Sequence, residues 1–347
     1  MSVMKIISIL LIFFICLTCS ANAKENAESG YEAFKKGDFK KALEYYKLTI
    51  NNESAVKVNE IWIARCMIEL EQWIQAESIL LEQLRREPEN TIKLELLAYV
   101  FNKQGNWTGI INIYRELINI EPQNISYRIT LAKMLMNQGQ NEQAIDTLEF
   151  ARRINISPDA QIYRLLADLY LAEGMHREAA QCYEKIINVL DNAAVEDYYR
   201  LGIAFFQTGD LISSEEAFKH MQKTNPDDFR ADLYLGHVIA QSGRIDEAQA
   251  YYKDAVKKNP KSIESLEALA ALQIKNKHYT DAASNYAKAV AMGDNKPHVY
   301  YNYIFSLMKE KDYASAREAI KKAIAEYPSD EKIRRLLDQH IKENSSE

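Results

Sequence analysis

The chain has 347 residues, of which 47% are hydrophobic and 27% are charged, and its formal net charge is -6. No long basic run offsets this negative charge, which argues against a nucleic-acid-binding protein, because such proteins carry a basic surface for phosphates. Only 11 glycines and 7 prolines occur. With so few breakers and many Ala, Leu, Glu, Lys and Gln residues, the composition predicts helix throughout.

The N-terminal residues have the order of a secretory signal peptide. Lys5 precedes an apolar stretch from Ile6 to Cys16, and the small-residue site Ala21-Asn22-Ala23 follows. This stretch is shorter than the ~20 residues of a membrane-spanning helix. We therefore expect a signal peptide over residues 1–23, cleaved after Ala23, and a periplasmic or secreted mature chain.

Two alternatives to a cleaved signal remain open at the N-terminus. One is an uncleaved membrane anchor. The other is a membrane-anchored lipoprotein modified at Cys19, although Thr18 stands where lipoprotein signals usually carry Gly, Ala or Ser. We expect membrane association only if Cys19 is lipidated, because the mature sequence shows no basic amphipathic face.

A period of thirty-four or thirty-five residues runs through the rest of the chain. We call the residues that recur with this period, counted from Gly37, the rungs, and six of the 11 glycines are rungs. This predicts a sharp turn between two helices at each rung, since a positive φ is cheap only for Gly. A small residue follows five positions later in all units but one, and prolines recur in one phase at the end of several units. The rungs are Gly37, Glu71, Gly105, Gly139, Gly174, Gly209, Gly243, Lys277 and Lys311.

These columns resemble the tetratricopeptide repeat. The small residue that this family carries at position 8 of the unit is present as Gly30, Ala64, Ala98, Ala132, Ala167, Gly202, Gly236 and Ala270, and only the ninth unit departs, with Ile304. The resemblance implies an all-α fold, a right-handed α-solenoid of about nine helix-turn-helix units over residues 24–330. The units begin near residues 23, 57, 91, 125, 160, 195, 229, 263 and 297.

The last residues, 331–347, are predicted to form a capping helix and a polar tail. Ile333, Leu336, Leu337 and Ile341 lie on one stripe of this helix. Such a helix covers the apolar face that the last repeat of a solenoid would otherwise expose.

Cysteine, histidine and catalytic patterns give no sign of chemistry. The repeat map places Cys66 and Cys182 in units too far apart for a disulfide, so we expect two separate, packed thiols. The six histidines fall in different repeats and phases, and no phosphate loop, zinc motif or nucleophile elbow occurs. We therefore expect no enzyme, no cofactor and no metal site.

A partner is expected on the first helix of each unit, which in the tetratricopeptide family lines a concave groove. Positions 2, 5, 9 and 12 share one face of that helix, because they are three or four residues apart. Core packing against the neighbouring repeat is the alternative for position 12. The candidate partner-binding residues are Tyr99, Asn102, Lys133, Met136, Arg164, Asp168, Tyr199, Ile203, Phe206, Leu233 and His237.

The sequence therefore predicts a non-catalytic protein–protein interaction scaffold that holds a segment of a partner protein, within an export or envelope-assembly complex. A holding chaperone for exported clients is the first alternative, and an accessory subunit of an envelope enzyme is the second. The family resemblance alone points to the envelope role, because a fold does not fix a function.

Overall fold

The computed structural model describes residues 21–49, 53–189, 193–294 and 296–344, so most of the expected signal peptide, including Cys19, lies outside the described residues. Within these ranges the chain is all-α, as predicted, and forms nineteen helices and no strand. The helices are α1 Ala21–Lys35, α2 Phe39–Lys47, α3 Glu53–Glu69, α4 Trp73–Arg86, α5 Thr91–Gln104, α6 Trp107–Ile120, α7 Ile125–Asn137, α8 Asn141–Ile154, α9 Ala160–Ala172, α10 His176–Val189, α11 Val195–Thr208, α12 Leu211–Thr224, α13 Phe229–Gln241, α14 Ile245–Lys258, α15 Ile263–Lys275, α16 Tyr279–Ala291, α17 Pro297–Lys309, α18 Tyr313–Glu326 and α19 Glu331–Asn344.

The helices form consecutive pairs, followed by α19. We call the odd-numbered helices α1 to α17 the first helices and the even-numbered helices α2 to α18 the second helices. Seven of the first helices begin at the residue that the sequence period predicts as the start of a repeat, from Thr91 in α5 to Pro297 in α17. The chain divides into two compact units, unit 1 up to Ile162 and unit 2 from Tyr163 onward.

Side-chain caps explain where many of these helices begin. Asn90 accepts a hydrogen bond from the Lys93 amide at the start of α5, and Asp210 accepts one from the Ser213 amide at the start of α12. Each cap satisfies a backbone donor that the first turn of a helix leaves without an intrahelical partner. The sequence thus stops one helix and starts the next within a few residues.

Each turn between a first and a second helix contains a residue in the left-handed region, at the rung that the sequence period marks. Gly243 has φ 83°, and the non-glycine rungs follow the same geometry, with φ 57° at Glu71, 62° at Lys277 and 59° at Lys311. A residue with a Cβ atom pays about 1–2 kcal/mol for this conformation. The helix pair therefore dictates the turn even where the sequence lacks the favoured residue.

Replacing Lys277 with Gly is expected to stabilise unit 2. Gly removes the cost of the left-handed conformation, and the greater freedom of Gly in the unfolded chain offsets about 0.4–1 kcal/mol of that gain. We expect a net gain of about 0.5 kcal/mol and a higher unfolding midpoint in urea, followed by circular dichroism. The reverse change, Gly243→Lys, is the control and should lower the midpoint; a lower midpoint for Lys277→Gly would contradict the argument.

Small residues allow the two helices of a pair to approach closely. The column five residues after each rung is buried throughout and includes Ala42, Ala144 and Ser214, each with no exposed surface. At position 8, Gly202 and Gly236 face aromatic rings of the next helix, Phe218 and Tyr252 respectively. A ring from the second helix thus fills the space that the missing side chain leaves.

The C-terminal helix α19 packs against α17 and α18. Ile333 and Leu336 are buried there, and Leu337 packs against the same core cluster. Ile341, the fourth residue of the predicted stripe, is 52% exposed. The cap therefore closes the last repeat mainly through its first two turns.

Both thiols of the described chain are buried, Cys66 in unit 1 and Cys182 in unit 2. Burial raises the pKa of the Cys66 thiol to about 12, and the nearby Glu69 carboxylate adds to this effect. Because the thiolate is the reactive form, Cys66 is a packing residue rather than a nucleophile. No helix in the described ranges is long and apolar enough to cross a membrane.

Candidate functional site

The candidate partner-binding residues fall on five first helices, two of unit 1 and three of unit 2. Unit 1 carries Tyr99 and Asn102 on α5 and Lys133 and Met136 on α7. Unit 2 carries the other candidates, on α9, α11 and α13: Arg164, Asp168, Tyr199, Ile203, Phe206, Leu233 and His237.

An ion pair joins the first helices α9 and α11 of unit 2. The Arg164 guanidinium donates from Nε to Asp197 Oδ1 at 2.9 Å and from Nη2 to Asp197 Oδ2 at 2.7 Å. The Asp197 side chain is only 5% exposed, and it also accepts a hydrogen bond from the Ala194 amide at the start of α11. This bidentate geometry fixes Arg164 in one orientation.

A second network continues along the same face of unit 2. Asp168 Oδ1 accepts hydrogen bonds from the Tyr183 hydroxyl at 2.8 Å and from Arg200 Nη1 at 2.9 Å. Glu196 lies between two arginines, 3.5 Å from Arg200 Nε and 3.1 Å from Arg230 Nη1. These ion pairs link α9 to α11 and α11 to α13.

Aromatic rings lie beside this network on α11 and α13. The rings of Tyr199 and Tyr234 meet edge to face with centroids 5.3 Å apart, and the Arg230 guanidinium lies 4.7 Å from the Tyr199 centroid. The ring centroids of Tyr234 and His237 are 5.5 Å apart, and these rings also meet edge to face. Hydrogen bonds to Asp228 raise the pKa of Arg230 above its usual value, so this guanidinium stays charged.

His237 is enclosed between Tyr234 and Tyr252. Its Nδ1 is 2.9 Å from the Tyr252 hydroxyl, and burial lowers the pKa of the imidazole below its usual value of 6.5. His237 is therefore neutral at pH 7 and serves as a ring that packs and accepts or donates one hydrogen bond.

Acid is expected to destabilise unit 2 through His237. Because the pKa of His237 is lower in the folded chain than in the unfolded chain, its contribution to stability is present above pH 6.5 and decreases as the pH falls below that value. We expect the thermal midpoint of the mature chain to fall between pH 7 and pH 5 by more than that of a His237→Phe variant. Parallel pH profiles for the two proteins would show that His237 contributes nothing to this dependence.

The structure removes Leu233 from the predicted partner-binding residues. Its side chain is 1% exposed and belongs to the buried core of unit 2, so it cannot contact a partner. The next residue, Tyr234, holds the accessible position instead, because one residue step turns the side chain by about 100° around the helix axis. Ile203 and Phe206 are half-buried and pack against the same core.

Five residues of the first helices in unit 2 that form these contacts were not in the predicted set: Glu196, Asp197, Arg200, Arg230 and Tyr234. Arg230 is at position 2 of its repeat. Arg200 and Tyr234 are at position 6 of theirs, and position 6 was not among the positions considered. A sequence signal exists for Glu196, Asp197 and Arg230, since Arg164 and Asp197, like Glu196 and Arg230, are opposite charges thirty-three or thirty-four residues apart.

In unit 1 the predicted residues form a more open surface. Tyr99 is 45% exposed, with its ring 6.4 Å from the Trp73 ring and Lys103 Nζ at 5.4 Å from its centroid. Asn102 is exposed, and Lys133 and Met136 are half-buried. Among the described residues no group of three or more His, Cys, Asp and Glu side chains could hold a metal ion.

Two repeat families match parts of the chain. Residues 216–340 match the C-terminal ARM domain of tetratricopeptide repeat protein 21, and residues 74–224 match the TPR-like repeat domain of EMC2. Each match covers less than half of the chain.

Known proteins match parts of the chain at low identity. Tetratricopeptide repeat protein 8 of Caenorhabditis elegans is 25% identical over 173 residues, which are 48% of this chain and 33% of the relative. The protein YpiA of Bacillus subtilis, a TPR repeat-containing protein, is 24% identical over 168 residues, 48% of this chain and 39% of the relative. Protein O-mannosyl-transferase TMTC1 of Homo sapiens is 24% identical over 52% of this chain and 20% of its own length. The chain thus spans well under two thirds of these relatives.

Solved structures share the fold. The C-terminal part of a TPR repeat-containing protein from Cytophaga hutchinsonii superposes with a TM-score of 0.56 at 15% identity, covering 70% of this chain and 98% of that one. Pseudomonas aeruginosa pilF gives a TM-score of 0.50 at 18% identity, covering 62% and 97%. The helix pairs, the left-handed rungs and these matches together support a tetratricopeptide-repeat protein, a fold typical of protein–protein interaction.

Proposed function

We propose that this chain is a non-catalytic scaffold that binds a segment of a partner protein on the first helices of its repeats. The observation that carries the proposal is the cluster of Tyr199, Tyr234 and Arg230 in unit 2. All three side chains are only half-buried, yet ring contacts and ion pairs already fix them. Tyr and Arg side chains held in this way are the usual centres of protein interfaces, since little conformational entropy is lost when a partner binds.

The ion network supports the same proposal. Arg200 and Arg230 share Glu196, and Asp168 is held by Arg200 and Tyr183. The face is built for recognition, and tetratricopeptide proteins in general are non-catalytic scaffolds.

The compartment is part of the proposal. The basic residue Lys5, the apolar stretch after it and the small residues before Lys24 favour export of the mature chain to the cell envelope or beyond. There the scaffold would act in an export or envelope-assembly complex. Edman sequencing of the chain isolated from its native compartment should begin at Lys24, and an intact Met1 would contradict cleavage after Ala23.

A cross-linked pull-down from the native compartment tests the binding face. The tagged mature chain is compared with a Tyr199→Ala, Arg230→Ala variant, and captured proteins are identified by mass spectrometry. The matched control is Ile212→Ala, Met175→Ala, which removes two exposed side chains that lie outside the cluster. Circular dichroism must show that all three proteins are folded.

The outcomes separate the scaffold from its alternatives. One or a few proteins captured by the native chain and the control but lost by the Tyr199→Ala, Arg230→Ala variant support the proposal. Equal capture by all three proteins contradicts this binding face. A broad set of unfolded clients would indicate a holding chaperone instead of a scaffold.

A further inference from the structure

Position 9 of the first helices alternates between an aromatic ring and a cation in unit 1. The four residues are Tyr31 on α1, Arg65 on α3, Tyr99 on α5 and Lys133 on α7. Neighbouring first helices contact each other, α1 with α3 and α3 with α5. The column in unit 2 shows no such alternation, since it begins with Asp168, Ile203 and His237.

The cations of this face have no acidic partner in the described ranges. The Arg65 guanidinium lies 4.9 Å from the centroid of the Trp62 ring, is half-buried, and makes no ion pair or hydrogen bond with any described residue. Burial lowers the pKa of Arg65 from its usual value, which reflects the lost hydration of the charge. Lys133 and Lys103 likewise form no ion pair with a described residue, and Lys103 Nζ lies 5.4 Å from the centroid of the Tyr99 ring.

The arginines on the equivalent face of unit 2 behave differently. Arg164 is paired with Asp197, Arg200 with Asp168, and Arg230 with Asp228. A partly desolvated cation without an anion is unfavourable, because neither water nor a carboxylate compensates its charge. Unit 1 therefore presents cations whose natural partners, carboxylates, are missing from the described chain.

Acidic residues on the face of unit 1 do not meet this need. Glu95 accepts a hydrogen bond from the Tyr127 hydroxyl at 2.7 Å, and Glu32 pairs with Lys35. Glu69 is exposed on α3 and forms no ion pair with a described residue. The neutral Tyr127 hydroxyl leaves the charge of Glu95 in place, but the three cations Arg65, Lys103 and Lys133 outnumber the two exposed carboxylates of Glu69 and Glu95.

We propose that this face of unit 1 binds an acidic protein segment in which Asp or Glu residues alternate with apolar or aromatic ones. Carboxylates of the segment pair with Arg65 and Lys133, and its apolar side chains pack on the accessible rings of Tyr31 and Tyr99. Arg65 offers up to five donors in a planar fork, which matches a carboxylate in a bidentate pair. The inference rests on the proposed function, since it gives the chemistry of one partner segment.

Binding of short synthetic peptides to the mature chain tests the inference. Three fluorescein-labelled peptides share the same Phe and Leu positions and carry Glu, Ser or Lys at the positions between them. Affinities are measured by fluorescence anisotropy at low and high salt. The variant is Lys103→Glu, Lys133→Glu, and the matched control is Lys40→Glu, Lys41→Glu, which changes the net charge equally at two exposed residues of the second helix α2.

We expect the Glu peptide to bind at least about tenfold more tightly than the Ser and Lys peptides at low salt, and the preference to shrink at high salt. The Lys103→Glu, Lys133→Glu variant should lose this preference, and the control should keep it. A Lys103→Ala variant, which removes one exposed charge, should show a smaller loss if the double variant does not fold.

Equal affinity for the Glu and Ser peptides overturns the inference, as does a control that loses binding as fully as the variant. The proposed function is judged separately, because its pull-down depends on Tyr199 and Arg230 in unit 2. If those residues govern partner capture while the peptides show no acidic preference, the scaffold stands and the acidic segment is rejected. If neither experiment shows binding, both are rejected.

Discussion

Replacing Gly236 with Ala is expected to destabilise unit 2 by about 2–3 kcal/mol, near the upper end of the usual cost of overpacking a core. A Cβ atom at Gly236 would lie 2.5 Å from Tyr252 Cδ1 and closer still to Cε1, well inside van der Waals contact. Tyr252 is 4% exposed, and its hydroxyl is tied to His237 Nδ1 at 2.9 Å. The ring therefore cannot move away without breaking this hydrogen bond or displacing the core.

A second substitution can test whether the clash with the ring causes the loss. We expect Tyr252→Leu to recover part of the stability in the Gly236→Ala background, because the shorter side chain leaves room for the new methyl group, although Tyr252→Leu alone is destabilising. Unfolding in urea followed by circular dichroism gives the comparison. If Gly236→Ala and the wild type have the same midpoint, the close approach of α13 to Tyr252 is not a constraint.

Ala270 is the internal control for this argument. It occupies position 8 of the next repeat and packs in the same buried cluster as Tyr286, so the helix pair α15 and α16 accommodates a methyl group. The reverse change, Ala270→Gly, should cost only the difference in helix propensity and a small cavity, about 1 kcal/mol. The contrast between the two positions separates a steric effect from a general sensitivity of the column.

The fold could be predicted from the sequence because its determinants are local and repeated. Glycine at most rungs marks the turn, and the repeat imposes the same left-handed conformation at Glu71 and Lys277, where no glycine signals it. Position 8 of the repeat is equally informative, since its residue is buried in every repeat. Even Ile304, which departs from the small residue at position 8, is fully buried.

The candidate site was less predictable, because it depends on the rotation of each helix and on side-chain partners in other repeats. Repeat position alone selected Leu233 and not its neighbour Tyr234. In the structure Leu233 is buried in the core, whereas Tyr234 is only half-buried. Asp197 is an acidic residue that appears solvent-facing by pattern, but Arg164 and the Ala194 amide hold it in the interior. Such pairs become visible only when the repeats are packed.

Replacing Lys258 with Met is expected to cost unit 2 about 3–5 kcal/mol, the usual loss when one partner of a buried ion pair is removed. The Asp232 carboxylate is 1% exposed and contacts Lys258 Nζ of α14 directly, while its other oxygen accepts a 2.6 Å hydrogen bond from Gln222 Nε2 of α12. Lys258 is 26% exposed, so its ammonium loses part of its hydration in the pair. Without Lys258, the carboxylate keeps one hydrogen bond and no counter-charge.

The loss should come from the uncompensated charge and not from the missing lysine itself, which makes the double variant decisive. Lys258→Met, Asp232→Asn keeps an acceptor for Gln222 and has no buried charge, so we expect it to be more stable at pH 7 than Lys258→Met alone. Lys258→Arg, which retains a cation, should cost less than either single removal. A double-mutant cycle from urea unfolding gives the coupling energy. If the double variant is no more stable than Lys258→Met, the pair contributes through packing of the lysine stem, and the link between α12, α13 and α14 is hydrophobic.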